Sequence, residues 1–169
     1  LLRKLSGVSL VQRAIDKARL LGCREGSIHL LTDSEEIALI SERNKVNVFI
    51  DSTLGLKDVG IDSEFRKYLL TAECGTSISV LLSAYAPLLS VETVQDALRT
   101  FAQTTSQVLQ PVRLGKRRIF DSERCTLANN ILGDREETHA IESRAFTLLR
   151  NGLLLEPRDT PLSVHLWNA

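Results

Sequence analysis

Between residues 9 and 21 apolar side chains recur at helical spacing: Leu10, Val11, Ala14, Ile15 and Ala18 share one stripe, with Arg13, Asp16, Lys17 and Arg19 opposite. A period near 3.6 residues predicts an amphipathic helix, and Gly22 marks its stop. Residues 27–32 read as a strand, and residues 34–44 return to the helical period through Ile37, Ala38, Leu39 and Ile40. Residues 46–50 form a short β-branched strand candidate. Residues 64–71 predict a helix with Phe65, Tyr68 and Leu69 toward the core. The clearest strand is 77–83, where Ile78, Val80, Leu81 and Leu82 make the nearly continuous apolar run of a strand covered on both faces. Pro87 then breaks the chain, and Ser90 opens a helix over 93–104 with Val94, Ala97, Leu98 and Phe101 inward.

This βαβα succession predicts an α/β fold: one domain over residues 1–169, with a mostly parallel sheet carrying helices on both faces. Past residue 107 the regularity drops. Residues 107–109 and 111–112 are extended. Arg113-Leu114-Gly115-Lys116-Arg117-Arg118 reads as a basic turn before Ile119 and Phe120, with Gly115 at the bend. The cluster could grip phosphate, but no aromatic residue interleaves the charges, and a solvated hairpin is the preferred reading. Residues 140–149 read as strand then helix, 153–156 precede a proline-rich loop at 157–161, and 162–167 read as a final strand.

Composition narrows the class. The chain has 169 residues, 43% hydrophobic and 25% charged, enough for a substantial core. Lys+Arg 21 balances Asp+Glu 21, which removes the electrostatic case for bulk nucleic-acid binding. No apolar run approaches the roughly 20 residues that cross a bilayer, so no membrane partner is expected. Cys23, Cys74 and Cys125 are scattered and odd in number, which gives neither a disulfide framework nor a zinc spacing and favours a cytoplasmic setting. His29, His139 and His165 stand in no nucleophile or metal constellation. The chain begins at Leu1, contains no Met and stops soon after an apparent strand, so it is expected to be incomplete at both ends.

Thr32-Asp33-Ser34-Glu35-Glu36-Ile37 lies where a strand hands over to a helix. Ligands of open α/β sheets bind outside the carboxyl ends of strands, so Asp33 is a candidate binding residue. Helix capping by Thr32, Asp33 or Ser34, with Glu35 and Glu36 complementing the helix dipole, explains the same run. Ser83 and Tyr85 occupy a second strand end and could donate hydrogen bonds to a ligand, although Tyr85 could equally pack over the sheet edge.

Three blocks carry a family resemblance. Leu5-Ser6-Gly7-Val8-Ser9-Leu10-Val11-Gln12-Arg13-Ala14-Ile15 resembles the "L-G-G-K-P-L-I-x-R-A-I" segment of the acylneuraminate cytidylyltransferases, the CMP-sugar-acid synthetases. Leu31-Thr32-Asp33-Ser34-Glu35-Glu36-Ile37-Ala38 is similar to that family's "S-T-D-S-E-E-I-A", and Leu81-Leu82-Ser83-Ala84-Tyr85-Ala86-Pro87-Leu88 fills the slot of "L-L-Q-P-T-S-P-L". Their order and intervals agree with the family over most of residues 1–104.

The resemblance implies a three-layer α/β/α nucleotidyltransferase-like, Rossmann-like fold. It also implies a homodimer that transfers CMP from CTP to a keto-sugar acid of the sialic-acid type, with magnesium and release of pyrophosphate. It makes Ser83, Tyr85, Asp33, Arg3 and Lys4 the candidate nucleotide- or sugar-binding residues; no catalytic residue and no metal ligand is assigned. Asp33 is expected to shape its turn. Departures are also clear. Val8 stands where the family has lysine, the family's glutamine is lost at Ser83-Ala84-Tyr85-Ala86-Pro87, and its "N-G-A" appears as Thr138-His139-Ala140. The arginine usually found after the third strand is replaced near Asp51, the basic phosphate loop falls ahead of Leu1, and the late acidic segment falls beyond Ala169. The alternative reading is therefore a catalytically degenerate relative that serves binding, dimerisation or regulation.

Overall fold

The computed structural model describes residues 2–50, 78–115, 120–121, 126–127, 139–151 and 163–168. The helix expected over 64–71, the position of Asp51 and the proline-rich loop at 157–161 lie outside these residues.

The chain opens with a small hairpin, β1 (Lys4–Leu5) and β2 (Val8–Ser9), in which Leu5 faces Val8. Its two turn residues, Ser6 and Gly7, have φ of 51° and 80°. Positive φ at both central positions is what a type I′ turn requires, and such a turn matches the twist of the strands it joins. Ser9 ends the hairpin and caps α1 (Leu10–Leu20), its hydroxyl accepting from the Gln12 N–H at 3.2 Å. At the other end Gly22, at φ 86°, closes the helix where the sequence pattern places the stop.

A βαβ unit follows: β3 (His29–Thr32), α2 (Glu35–Asn44) and β4 (Asn47–Ile50). The two strands pair in parallel, His29 opposite Asn47 through Thr32 opposite Ile50, which a crossover helix makes possible. Val11 and Ile15 of α1, Ile37 of α2, and Ile28 and Val46 at the strand starts form one buried cluster, with Leu30 and Ile40 against it. Polar groups then fix α1 to α2. The Gln12 and Asn44 side-chain amides exchange hydrogen bonds at 2.9 and 2.8 Å, and Arg19 donates to the Asn44 side chain at 3.1 Å and to its backbone carbonyl at 2.6 Å.

Ser34 caps α2, accepting from the Ile37 N–H at 3.4 Å. Removing a capping hydroxyl typically costs about 1 kcal/mol. Ser34→Ala should therefore lower the urea midpoint by that equivalent with an unchanged slope; an unmoved midpoint would show that the cap contributes nothing.

The second sheet contains β5 (Ile78–Leu82), which leads into α3 (Val91–Ala102) and then β6 (Val108–Gly115). The short pair β7 (Phe120–Asp121) and β8 (Thr126–Leu127) stands apart from it. The sheet is completed by β9 (His139–Glu142), β10 (Phe146–Arg150) and β11 (Val164–Asn168), in the order β11–β6–β10–β5 with β9 also alongside β6. β11 is parallel to β6, and β10 runs antiparallel to both β5 and β6. Thus β5, β6 and β11 share a direction and β10 opposes it. Val94, Ala97 and Phe101 of α3 pack against Leu109, Phe146 and Leu148, with Ile78, Val80, Leu82 and Trp167 around them. Leu81 points the other way, toward Val108 and Leu149, where it meets Leu31 of β3. Both faces of β5 thus make apolar contacts, in keeping with its nearly continuous apolar run, interrupted at Ser79.

Two expectations are corrected. Residues 146–149 are strand rather than helix: after a turn at 144–145 the chain re-enters the sheet as β10, whose partners are Phe146 to Leu82 through Arg150 to Ile78. Five apolar-rich residues do not separate the two periods, and strand pairing decides. Arg113, Leu114 and Gly115 are likewise strand rather than turn, because β6 continues to pair with β9 through Gly115 opposite His139. At Gly115 an added Cβ would lie 3.0 Å from the Ile141 Cδ1, a tight contact that the end of the isoleucine side chain would have to relieve. Residues 116–119 lie outside the described residues.

Pro111 sits inside β6, where a missing N–H should cost a ladder bond. Its position resolves this. Pairing passes from β10, at Val108 and Leu109, to β9, beginning at Val112, and Pro111 falls in the break, its carbonyl accepting from the Ser143 N–H at 2.8 Å.

Candidate functional site

Among the described residues, two loops leave the carboxyl end of a strand and enter a helix: 33–34, between β3 and α2, and 83–90, between β5 and α3. In the first, Thr32 is buried and its hydroxyl accepts from the Ser34 N–H at 3.1 Å, while Ser34 caps the helix. Thr32 and Ser34 therefore shape the turn. Asp33 itself stands at the bend between them, its side chain exposed. Glu35 and Glu36 occupy the first turn of α2, where negative charge offsets the helix dipole.

The second loop is built from backbone hydrogen bonds. The Ser83 N–H donates to the Ala145 carbonyl at 3.0 Å, tying the loop's start to the β9–β10 turn. The Ser83 carbonyl accepts from the Ala86 N–H at 3.1 Å, and the Ala86 carbonyl from the Leu89 N–H at 3.2 Å, giving two successive turns. Ser90 then caps α3, accepting from the Thr93 N–H at 3.1 Å. The Ser83 Oγ accepts from the Tyr85 N–H at 3.3 Å, an arrangement that leaves its own O–H free to donate. Tyr85 is 75% exposed and Leu88 87% exposed, so the tyrosine ring projects into solvent instead of packing over the sheet edge. A phenol so placed can stack on a planar group and hydrogen-bond at its tip.

One residue of this site is absent from the sequence-based candidates. Lys17, on the α1 face expected to be solvated, donates from Nζ to the carbonyls of Ala86 at 2.8 Å and Pro87 at 2.9 Å. Partial burial, and secondarily the nearby Arg13 charge, hold its pKa below the usual lysine value. Nothing in the residue pattern distinguishes Lys17 from Arg13 or Arg19; only the tertiary fold brings residue 86 to it.

The remaining candidates lie elsewhere. Arg3 and Lys4 are exposed at the β1 hairpin, where the Arg3 carbonyl accepts from the Leu10 N–H at 3.1 Å. Ser83 and Tyr85 share one loop; Asp33 and the Arg3–Lys4 pair belong to two other segments. Among the described residues no three His, Cys, Asp or Glu side chains converge as metal ligands. Cys23 is half-buried, and burial pushes its thiol pKa up, away from the thiolate a nucleophile needs. Burial of His29 lowers its pKa. No described helix is long and apolar enough to cross a membrane.

Neither protein-family models nor curated protein sequences match this chain. Solved structures do. A CMP:2-keto-3-deoxy-manno-octonic acid synthetase complexed with CTP superposes with a TM-score of 0.69 over 99% of this chain and 82% of its own, at 9% identity. The 4-diphosphocytidyl-2C-methyl-D-erythritol synthase of Anaerococcus prevotii DSM 20548 superposes with a TM-score of 0.63 over 99% of this chain and 81% of its own, at 11% identity. The chain has the nucleotidyltransferase fold. It shares the three-layer α/β/α, nucleotidyltransferase-like architecture of these two structures, with the two strand-end loops of this chain on its described part. At such low identity the likeness extends to the fold, and side-chain roles must be argued from this chain's own residues.

Proposed function

We propose that this nucleotidyltransferase-fold chain binds CTP at the loop after β5 and transfers CMP to a keto-sugar acid of the sialic-acid type. In that reaction the acceptor's anomeric hydroxyl oxygen forms a bond to the α-phosphorus, the bond to the bridging oxygen breaks, pyrophosphate leaves, and the hydroxyl proton passes to solvent. The observation that carries the reading is the 83–90 loop: it leaves the carboxyl end of a strand, is fixed at both ends, exposes the Tyr85 ring, and keeps the half-buried Ser83 hydroxyl free to donate. The two structural neighbours support it, since both are synthases named for cytidine-containing compounds and the first is also named for a keto-sugar acid.

Phosphoryl transfer needs positioning and charge neutralisation more than covalent help. In this proposal Ser83 and Tyr85 orient the nucleoside or sugar, and Arg3 and Lys4 supply positive charge to the triphosphate. The family resemblance brings magnesium with it, but the described residues do not hold that ion, so none of these roles depends on a metal site in them. A homodimer belongs to the same proposal, and sedimentation at twice the monomer mass is its check.

Incubating the protein with CTP, magnesium and a panel of keto-sugar acids while assaying pyrophosphate tests the transfer. Ser83→Ala should weaken CTP binding about five- to tenfold, the equivalent of one lost neutral hydrogen bond. Absence of binding by any nucleoside triphosphate would sink the reading. The second reading, a binding or regulatory module that has lost catalysis, is favoured by Val8 at the family's lysine position and by the loss of the family's glutamine at 83–87. It predicts CTP binding without pyrophosphate release.

A further inference from the structure

Between residues 83 and 90 no side chain is fully buried, so packing alone does not fix this loop. Its two ends are anchored, at Ala145 through the Ser83 N–H and at α3 through the Ser90 cap. Its middle is held differently. Lys17 Nζ, from a helix 69 and 70 residues earlier in the chain, donates to two consecutive carbonyls, Ala86 and Pro87. The Ala86 carbonyl also accepts from the Leu89 N–H, so Lys17 takes its second lone pair, and the Pro87 carbonyl belongs to a residue with no N–H of its own to tie it down. Both bonds have a charged donor, which makes them stronger than neutral amide bonds.

We propose that Lys17 is a positioning residue for the strand-end loop, setting where Ser83 and Tyr85 stand relative to the nucleotide. The role of the loop in binding rests on the CTP reading; the grip itself does not. Its acceptors are neutral carbonyls, so no partner charge at the loop cancels that of Lys17, and the ammonium also places a positive charge beneath a loop proposed to face a triphosphate. Arg13, one helical turn earlier, cannot substitute. Its guanidinium is already bonded to the Leu5 carbonyl at 3.1 and 2.6 Å, on the hairpin side.

The test compares wild type, Lys17→Met and Lys17→Arg by amide hydrogen exchange and by CTP titration. In Lys17→Met the Ala86 and Leu89 amides should exchange about tenfold faster or more, while α3 amides over the buried Val94, Ala97 and Phe101 keep their protection. CTP affinity should fall about tenfold, in step with the loss of a charged donor. Lys17→Arg, which retains charge and donors, should restore most of both. Unchanged loop exchange in Lys17→Met overturns the proposal, and so does equal loosening of loop and α3, which would mark Lys17 as a general stabiliser. If wild type itself binds no nucleotide, the CTP reading fails and the exchange comparison alone decides for or against the grip. Should Lys17→Met not fold, Lys17→Ala, which likewise removes the donor, is read in the same way.

Discussion

Phe101→Ala is expected to lower stability by about 3–5 kcal/mol, the range for truncating a buried aromatic without full collapse of the cavity. Phe101 is 0% exposed in the cluster that joins α3 to β6 and β10. A domain of this size has roughly 5–15 kcal/mol in total. The substitution should therefore leave a protein that unfolds at much lower urea concentration or does not accumulate folded. Leu98→Ala is the control, because Leu98 only borders the same cluster and should cost less. A loss for Phe101→Ala below about 1 kcal/mol would mean that the α3 core is not where the fold's stability resides.

Arg150→Met should cost about 2–4 kcal/mol, by charged hydrogen bonds removed near a helix end. Arg150 closes the carboxyl end of α3 from the neighbouring strand. Its Nε donates to the Ser106 carbonyl at 2.9 Å, and its Nη2 to the carbonyls of Phe101 and Thr104 at 2.9 and 2.6 Å. The guanidinium also lies 4.7 Å from the centre of the Phe101 ring. These interactions share residues, so the Arg150 and Phe101 effects should be non-additive. Arg150→Lys should recover only part of the loss, because an ammonium on a flexible stem cannot reproduce a planar fork of donors. Thermal unfolding of the three proteins measures this; equal melting temperatures for Arg and Lys would contradict the fork geometry.

Helices α1, α2 and α3 were legible because two independent signals coincide in each: an apolar stripe, and a serine immediately before it. Ser9, Ser34 and Ser90 all cap as their positions suggest. The direction of β10 was not legible. Phe146-Thr147-Leu148-Leu149-Arg150 is too short to distinguish periods of 2 and 3.6, and the signal that settles it, a turn at 144–145 against the break at Pro111, is tertiary. Gly115 misled for a related reason: a glycine suggests a bend, whereas here it continues the strand, opposite His139.

The candidate site was legible in outline. Ser83 and Tyr85 fall on one loop because a strand end, a proline and a capping serine lie within eight residues of sequence. The division of labour in the Asp33 turn was not, since Thr32, Asp33 and Ser34 can all serve as caps and only burial of Thr32 and the bond to Ile37 separate them. Lys17 was invisible, because a cation on a polar helix face looks solvated until the loop it grips is placed beside it.

The 83–90 loop of this nucleotidyltransferase-like fold is proposed above as a cytidine-nucleotide site. Titrating isotope-labelled protein with CTP and magnesium, and following backbone amide signals, tests it most directly. The account predicts saturable shifts concentrated at Ser83, Tyr85, Ala86 and Leu88, with weaker shifts for other nucleoside triphosphates. Saturable shifts confined to other segments, or none at all with CTP, would contradict it.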